Sequence, residues 1–123
     1  MQTIHLNKRQ EYIILGLLTI IACLLRLFLI LHDWPGSNSD EATIGLMALH
    51  IAQEKDFPIF FYGQGYMGAL QAYLGSVLFH LFGVSLYSLR FGLVLIFATF
   101  FVTLYFLVKT IYSRAFAFLC LLL

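Results

Sequence analysis

Long apolar runs alternate with shorter polar segments along the chain. The first run, residues 12–31, holds about 20 mostly apolar positions, the length that an α-helix needs to cross a hydrocarbon core about 30 Å thick. It is longer than the apolar region of a cleaved signal peptide, about 7–15 residues, so we interpret it as an uncleaved anchor. Further runs at 66–83 and 91–108 predict a second and a third span. The pattern therefore predicts an all-α, polytopic transmembrane helical protein.

A fourth apolar run begins at residue 115 and continues to the end of the sequence. A helix of this length measures about 14 Å, which is less than half of the thickness of the hydrocarbon core. Such a helix does not cross a bilayer. We therefore expect the chain to be the N-terminal fragment of a longer protein.

The only long polar segment, residues 33–65, is predicted to be an outer loop between the first two spans. It opens with turn-forming residues around Pro35 and Gly36. From Asp40 to about Glu54, apolar side chains recur with the spacing of one helix face. These positions are Ile44, Met47, Ala48, Ile51 and Ala52. The spacing predicts an amphipathic helix lying flat at the outer membrane surface.

The charge distribution predicts how the chain is oriented in the membrane. Lys8 and Arg9 precede the first run, whereas residues 33–65 carry five acidic residues and one lysine. The positive-inside rule then places the N-terminus in the cytoplasm and the loop outside. If each of the three predicted spans crosses the membrane once, Lys109 and Arg114 lie outside the cell. That position disagrees with the positive-inside rule. Because the first helix usually dominates orientation, we keep the N-terminus inside.

The composition excludes several classes of protein. Hydrophobic residues make up 62% of the chain and charged residues 11%, against about half and a quarter in soluble domains, so the lipid bilayer is the expected partner. A net charge of +1 is too small to attract a polyanion, and no nucleic acid is expected to bind. Cys23 and Cys120 lie in apolar runs, and no metal-ligand spacing or cofactor motif occurs. The residues of this chain therefore predict no metal site and no cofactor.

Two adjacent carboxylates, Asp40 and Glu41, stand at the start of the predicted surface helix. At this position they lie within reach of one substrate held in the lipid and of another dissolved in the water. The N-terminus of a helix favours the ionised form of a carboxylate, which can act as a general base. Acidic residues are also ordinary in the first turn of any helix. Taken alone, the pair is explained by capping more often than by catalysis.

Four other side chains are candidate substrate contacts. Arg26 lies inside the first run, about 8 Å from its outer end, where it could meet a phosphate or extend to the lipid headgroups. Tyr62, Gln64 and Tyr66 combine aromatic rings with an amide, which suits stacking on sugar rings and bonding to hydroxyls. An aromatic belt at the membrane interface has a similar composition.

In their order and spacing, several segments together resemble one family. They are Arg26-Leu27, Ser39-Asp40-Glu41-Ala42, the stretch Phe60–Gly68, Leu81-Phe82-Gly83-Val84-Ser85 and Ser88-Leu89-Arg90. From Arg26 onward, the chain resembles the N-terminal part of the GT-C glycosyltransferases. The most similar branch contains bacterial proteins related to dolichyl-phosphate-mannose protein mannosyltransferases, the lipid A aminoarabinose transferase and the galacturonic acid transferases of lipopolysaccharide.

This resemblance implies an enzyme of the plasma or inner membrane. Such an enzyme transfers a sugar from a polyprenyl-phosphate-linked donor to an acceptor hydroxyl of a glycan, lipid or protein on the outer face, with inversion. The resemblance makes Asp40 the catalytic base and Glu41 its supporting neighbour. Further phosphate and sugar contacts in the family come from later helices, so we expect the 123-residue chain alone to be inactive.

A protein of another class is the alternative. The chain could be a small non-enzymatic multi-pass membrane protein, such as a transporter or an assembly subunit. Gly68, Ala72 and Ser76 recur at every fourth position of the second run and form a ridge that would let another helix approach closely.

Overall fold

The structure is a computed structural model that describes residues 7–122. It contains five α-helices, and no β-strand occurs among the described residues, so the prediction of an all-α fold is confirmed for this part of the chain. The helices are α1 (Lys8–Leu31), α2 (Ser39–Ala52), α3 (Leu70–Phe82), α4 (Leu86–Ile111) and α5 (Arg114–Leu122).

Two of the helices are long and apolar enough to cross a membrane. They are α1, with 24 residues, and α4, with 26 residues, which correspond to about 36 Å and 39 Å of helix. Most of α1 is exposed within the chain, and only Glu11 and Leu15 of this helix are buried. Apolar side chains such as Leu17, Ile20 and Leu24 face outward. An apolar exterior of this kind is suited to contact with lipid.

The helix in the predicted second span is shorter than the apolar run. α3 has 13 residues and measures about 20 Å, less than the thickness of the hydrocarbon core, about 30 Å. The residues before it form a folded loop, in which Phe60 pairs with Gly68 in an antiparallel bridge. The Phe61 N–H donates to the Met67 carbonyl at 2.7 Å. The backbone of Gly63 turns at φ +80°, a conformation that favours glycine.

The chain divides into two compact units, one of which comprises residues 27–95. Here α2 and α3 pack on each other and on the start of α4. The helices approach closely at Gly75, where a Cβ atom would lie 2.7 Å from Leu89 Cδ1 and 3.1 Å from Ala48 Cβ. The core includes Met47 and Phe79. A larger residue at position 75 would therefore have to displace the side chain of Leu89 and crowd Ala48.

The other unit combines the first part of α1 with the second part of α4 and α5. Its core contains Leu15, Phe101, Tyr105, Ala117 and Leu121. The two long helices are antiparallel in this unit. Early in α1, the Tyr12 ring lies 6.5 Å from the Phe106 ring, whereas later in α1 the Arg26 guanidinium lies over the ring of Phe97, earlier in α4.

Candidate functional site

The head of α2 is built by a side-chain cap. The Glu41 N–H donates to Asn38 Oδ1 at 2.8 Å, which satisfies one of the backbone donors that the first turn of a helix leaves open. Asp40 and Glu41 both lie in this first turn, where negative charge complements the helix dipole. The structure thus places both predicted carboxylates at the start of a helix.

Glu41 is bound by an arginine from another helix. Arg90 Nε donates to Glu41 Oε1 at 2.7 Å, and Arg90 Nη2 donates to Glu41 Oε2 at 2.8 Å. Nη2 also donates to the Pro35 carbonyl at 2.9 Å. The side chain of Arg90 is 4% exposed and that of Glu41 is 15% exposed. This bidentate pair ties the head of α2 to the start of α4 and to the segment that follows α1.

Sequence reasoning did not identify Arg90 as the partner of Glu41. The two residues are 49 positions apart, and each has a conventional explanation when it is considered alone. One available signal was the position of Arg90 at the edge of a long apolar run, because a charged residue in such surroundings requires a partner of opposite charge.

Asp40 differs from its neighbour. Its side chain is exposed, and within residues 7–122 no hydrogen bond or ion pair engages its carboxylate. Glu41 has its charge matched by Arg90, whereas the carboxylate of Asp40 remains accessible to a ligand. Of the two adjacent carboxylates, Asp40 is therefore the one that no other side chain of the described residues engages.

A groove of about 370 Å³ opens beside Glu41. Its lining is mainly apolar and includes Gly45, Leu49, Phe79, Ser85 and Leu89. The volume lies within the range of small-molecule sites, about 300–1,000 Å³. A largely apolar groove next to the head of α2 could hold an apolar part of a ligand near the carboxylates.

Tyr62 belongs to a second polar cluster. Its hydroxyl donates to Asp56 Oδ2 at 2.8 Å and lies 2.9 Å from His50 Nδ1. Because the hydroxyl hydrogen is directed at Asp56, His50 Nδ1 is the donor in the second bond. The hydrogen bond to Asp56 raises the pKa of Tyr62 above its ordinary value of 10.0. The hydroxyl is already engaged, so the ring face of Tyr62 is the part left to contact a ligand.

The other two loop candidates, Tyr66 and Gln64, differ in exposure. Tyr66 is 80% exposed. The buried Oε1 atom of Gln64 accepts no hydrogen bond from any residue within the described range 7–122. Tyr66 is therefore open to a bound molecule through its ring and hydroxyl, whereas the amide oxygen of Gln64 is enclosed by the chain.

The structure does not bring all the predicted site residues together. His50, which contacts Tyr62, lies ten positions after Asp40 on α2, a separation of about 15 Å along the helix axis. Arg26 belongs to the other unit, where its guanidinium lies 4.6 Å from the centre of the Phe97 ring. Asp40, Glu41 and Arg90 form the compact group, and the aromatic cluster lies near the opposite end of α2.

A charged cluster in the unit that contains α5 was also missed from the sequence. Glu11 is 1% exposed and accepts from the Tyr105 hydroxyl at 2.8 Å. It forms ion pairs with Lys109 and with Arg114, whose Nε lies 3.0 Å from Glu11 Oε2. The partners are more than 90 residues away in sequence, so local patterns could not indicate the cluster. Their role is to neutralise a buried carboxylate.

Comparison with known proteins finds no matching family model, no matching curated protein and no matching solved structure. Among residues 7–122, no three His, Cys, Asp or Glu side chains are grouped so that they could hold a metal ion.

Proposed function

We propose that the chain is the N-terminal part of a membrane glycosyltransferase of the GT-C type. The enzyme transfers a sugar from a polyprenyl-phosphate-linked donor to an acceptor hydroxyl of a glycan, lipid or protein. Two things support the proposal: the resemblance of the segments from Arg26 onward, and the division of roles between the adjacent carboxylates. Glu41 is held by Arg90, while Asp40 is exposed at the head of α2.

The reaction assigned to Asp40 is general base catalysis. Its carboxylate accepts the proton of the acceptor hydroxyl as the hydroxyl oxygen forms a bond to the anomeric carbon. The bond from that carbon to the phosphate oxygen breaks, and the lipid phosphate departs with the bonding electrons from the opposite face. The configuration at the anomeric carbon is inverted. Glu41 and Arg90 act as positioning residues because their ion pair holds the turn that carries Asp40.

The two long helices support the proposed membrane location. α1 and α4 are assigned as membrane spans, with the N-terminus in the cytoplasm and residues 33–65 on the outer face, in accord with the charge bias around α1. Asp40 would then lie just beyond the outer end of α1, where a lipid-linked donor and a water-borne acceptor can meet. This placement makes the protein an integral, multi-pass membrane enzyme.

The substrate contacts are assigned separately. Arg26 is the candidate for binding the donor phosphate, since Arg90 is engaged by Glu41. Tyr62, Gln64 and Tyr66 are assigned to sugar rings distant from the reacting hydroxyl, because the Tyr62 cluster lies about 15 Å from Asp40 along α2. An acceptor glycan of several sugar units would be long enough to contact both Asp40 and the Tyr62 cluster.

The test is to replace Asp40 by Asn in the full-length protein and to measure sugar transfer from a polyprenyl-phosphate donor. Loss of the base is expected to lower the turnover by about 10²–10⁴-fold. Glu54→Gln is the matched control, because it removes one exposed carboxylate of the same outer segment and should leave the turnover unchanged. Turnover of Asp40→Asn within a few fold of the wild type would remove Asp40 from the mechanism.

The non-enzymatic alternative depends on the small-residue ridge. Within the described structure, Ala72 is 1% exposed and Ser76 is 6% exposed, because both pack inside residues 27–95. Gly68 lies in the loop before α3. Two of the three ridge positions are therefore occupied by the packing of the chain itself, and no observation favours a transporter or an assembly subunit.

A further inference from the structure

The carboxylate of Glu11, near the start of α1, gathers charged side chains from two other helices. Lys109, at the end of α4, forms an ion pair with Glu11 Oε1, and the Nε atom of Arg114, at the start of α5, lies 3.0 Å from Oε2. The Tyr105 hydroxyl donates to Oε1 at 2.8 Å. All four residues belong to one compact unit. The two cations are therefore held close together by a shared carboxylate.

The cluster carries more positive charge than its carboxylate can match. One cation is enough to neutralise Glu11, yet both Lys109 and Arg114 are held against it. Lys8 lies three positions before Glu11 and therefore on the same side of α1, about 4.5 Å nearer the start of the helix. Among the charged side chains of the described residues 7–122, three positive charges thus face one negative charge here. The surplus favours the binding of an anion.

The surplus charge can be reached from outside the chain, at one end of the candidate membrane spans. The Lys109 side chain is 31% exposed and that of Arg114 is 36% exposed. Their neighbours Tyr12 and Tyr112 are exposed as well. Tyrosines are enriched where a membrane meets water, and long basic side chains extend to the same level. The cluster therefore has the composition of a surface that lies among phospholipid headgroups.

The contacts of Glu11 also indicate which membrane surface is concerned. They place Lys109 and Arg114 at the N-terminal end of α1, and in the proposed orientation this end lies in the cytoplasm. The cytoplasmic leaflet of a membrane carries anionic phospholipids, which attract basic residues next to membrane helices. An anionic headgroup is therefore the ligand that lies nearest to the surplus charge.

We propose that Lys8, Lys109 and Arg114 bind the headgroup phosphate of an anionic phospholipid in the cytoplasmic leaflet. Basic pockets between membrane helices bind such headgroups. The 9-residue helix α5 begins at Arg114 and adds the positive end of its dipole. The phosphate matches the positive charge that Glu11 leaves over. The proposal rests on the membrane spans of the proposed function, α1 and α4, and is independent of sugar transfer.

Native mass spectrometry of the full-length protein in detergent micelles tests this lipid preference. Phosphatidylglycerol and phosphatidylcholine are added in equal amounts, and the readout is the ratio of the two lipids retained by the protein. A basic side chain near an anionic membrane surface contributes about a fivefold factor in binding. The wild type should therefore prefer phosphatidylglycerol, and Lys8→Gln and Lys109→Gln should each lower the ratio about fivefold. Arg9→Gln is the matched control: Arg9 is exposed like Lys8 but lies about 200° around α1 from Glu11, so the ratio should change less than about twofold.

The two variants differ in their risk to the fold. Lys109→Gln leaves Arg114 to neutralise Glu11, and helical circular dichroism checks that the variant is folded. Lys8 is exposed and takes no part in the ion pairs of Glu11, so Lys8→Gln decides the question if Lys109→Gln unfolds. Equal retention of the two lipids by the wild type, or equal losses in Lys8→Gln and Arg9→Gln, would overturn the proposal. Recovery of the protein in the soluble fraction without detergent would instead contradict the membrane spans on which the proposal rests.

Discussion

Replacing Arg90 while Glu41 is kept should destabilise the fold, because it leaves a largely buried carboxylate at the head of α2 without its partner. The two side chains share bonds of 2.7 and 2.8 Å and are 4% and 15% exposed. Removing one partner of a buried ion pair costs about 3–5 kcal/mol, because the other charge stays buried without compensation. We expect Arg90→Met to lie near the lower limit, about 3 kcal/mol, since Glu41 keeps some access to water. The carbonyl of Pro35 is at an exposed residue and can bond to water.

The assay is a double-mutant cycle. Arg90→Met, Glu41→Leu and the double variant are unfolded in mixed detergent micelles, and the helical circular dichroism gives the free energy of unfolding. Replacing both partners by apolar residues of similar size is often close to neutral. The double variant should therefore be more stable than either single variant, with a coupling of at least about 2 kcal/mol.

Two results would contradict this reasoning. One is an Arg90→Met variant as stable as the wild type, which would mean that Glu41 finds water or another partner without cost. The other is a double variant whose destabilisation equals the sum of the two single effects, which would mean that the side chains do not interact.

Two further predictions concern packing and pH. Gly75→Ala should destabilise the fold by about 1–3 kcal/mol, because its Cβ would lie 2.7 Å from a buried leucine; Gly16→Ala, with no atom within 4 Å, should leave the same unfolding curve unchanged or slightly more stable. The bond from Tyr62 to Asp56 raises the pKa of the tyrosine above 10.0, so its contribution to stability is complete below that pH and is lost as the pH rises through the higher pKa of the folded protein. Tyrosinate absorbance in Asp56→Asn should therefore begin to rise at lower pH than in the wild type, and identical titration curves would contradict the assignment.

The sequence predicted the parts of the fold that depend on local pattern. The long apolar runs of α1 and α4 were recognised, and the acidic first turn of α2 was placed within one residue of its observed start. α3 is shorter than its apolar run because residues 66–69 are apolar in composition but are held in a loop by pairing with residues 59–61. A hydropathy profile reports how apolar the side chains are, but it does not report the backbone hydrogen bonds between residues 66–69 and residues 59–61.

The candidate site was predicted only in part for the same physical reason. A carboxylate pair at a helix head can be recognised from neighbouring residues, since the cap and the first turn are contiguous. The difference between Asp40 and Glu41 depends on Arg90, which is 49 residues from Glu41. Likewise, the distance between Asp40 and the Tyr62 cluster depends on where the loop folds back along α2. Contacts of this kind are set by tertiary packing.

The charged cluster around Glu11 also has a consequence for biosynthesis. Lys109 lies 98 residues after Glu11, and a ribosome that adds about 5–20 residues per second needs roughly 5–20 s to reach it. During that interval the nascent α1 carries an acidic group whose later partners do not yet exist. The arrival of α4 and the start of α5 supplies the missing positive charge, so α1 completes its ion pairs only after those later helices have been made.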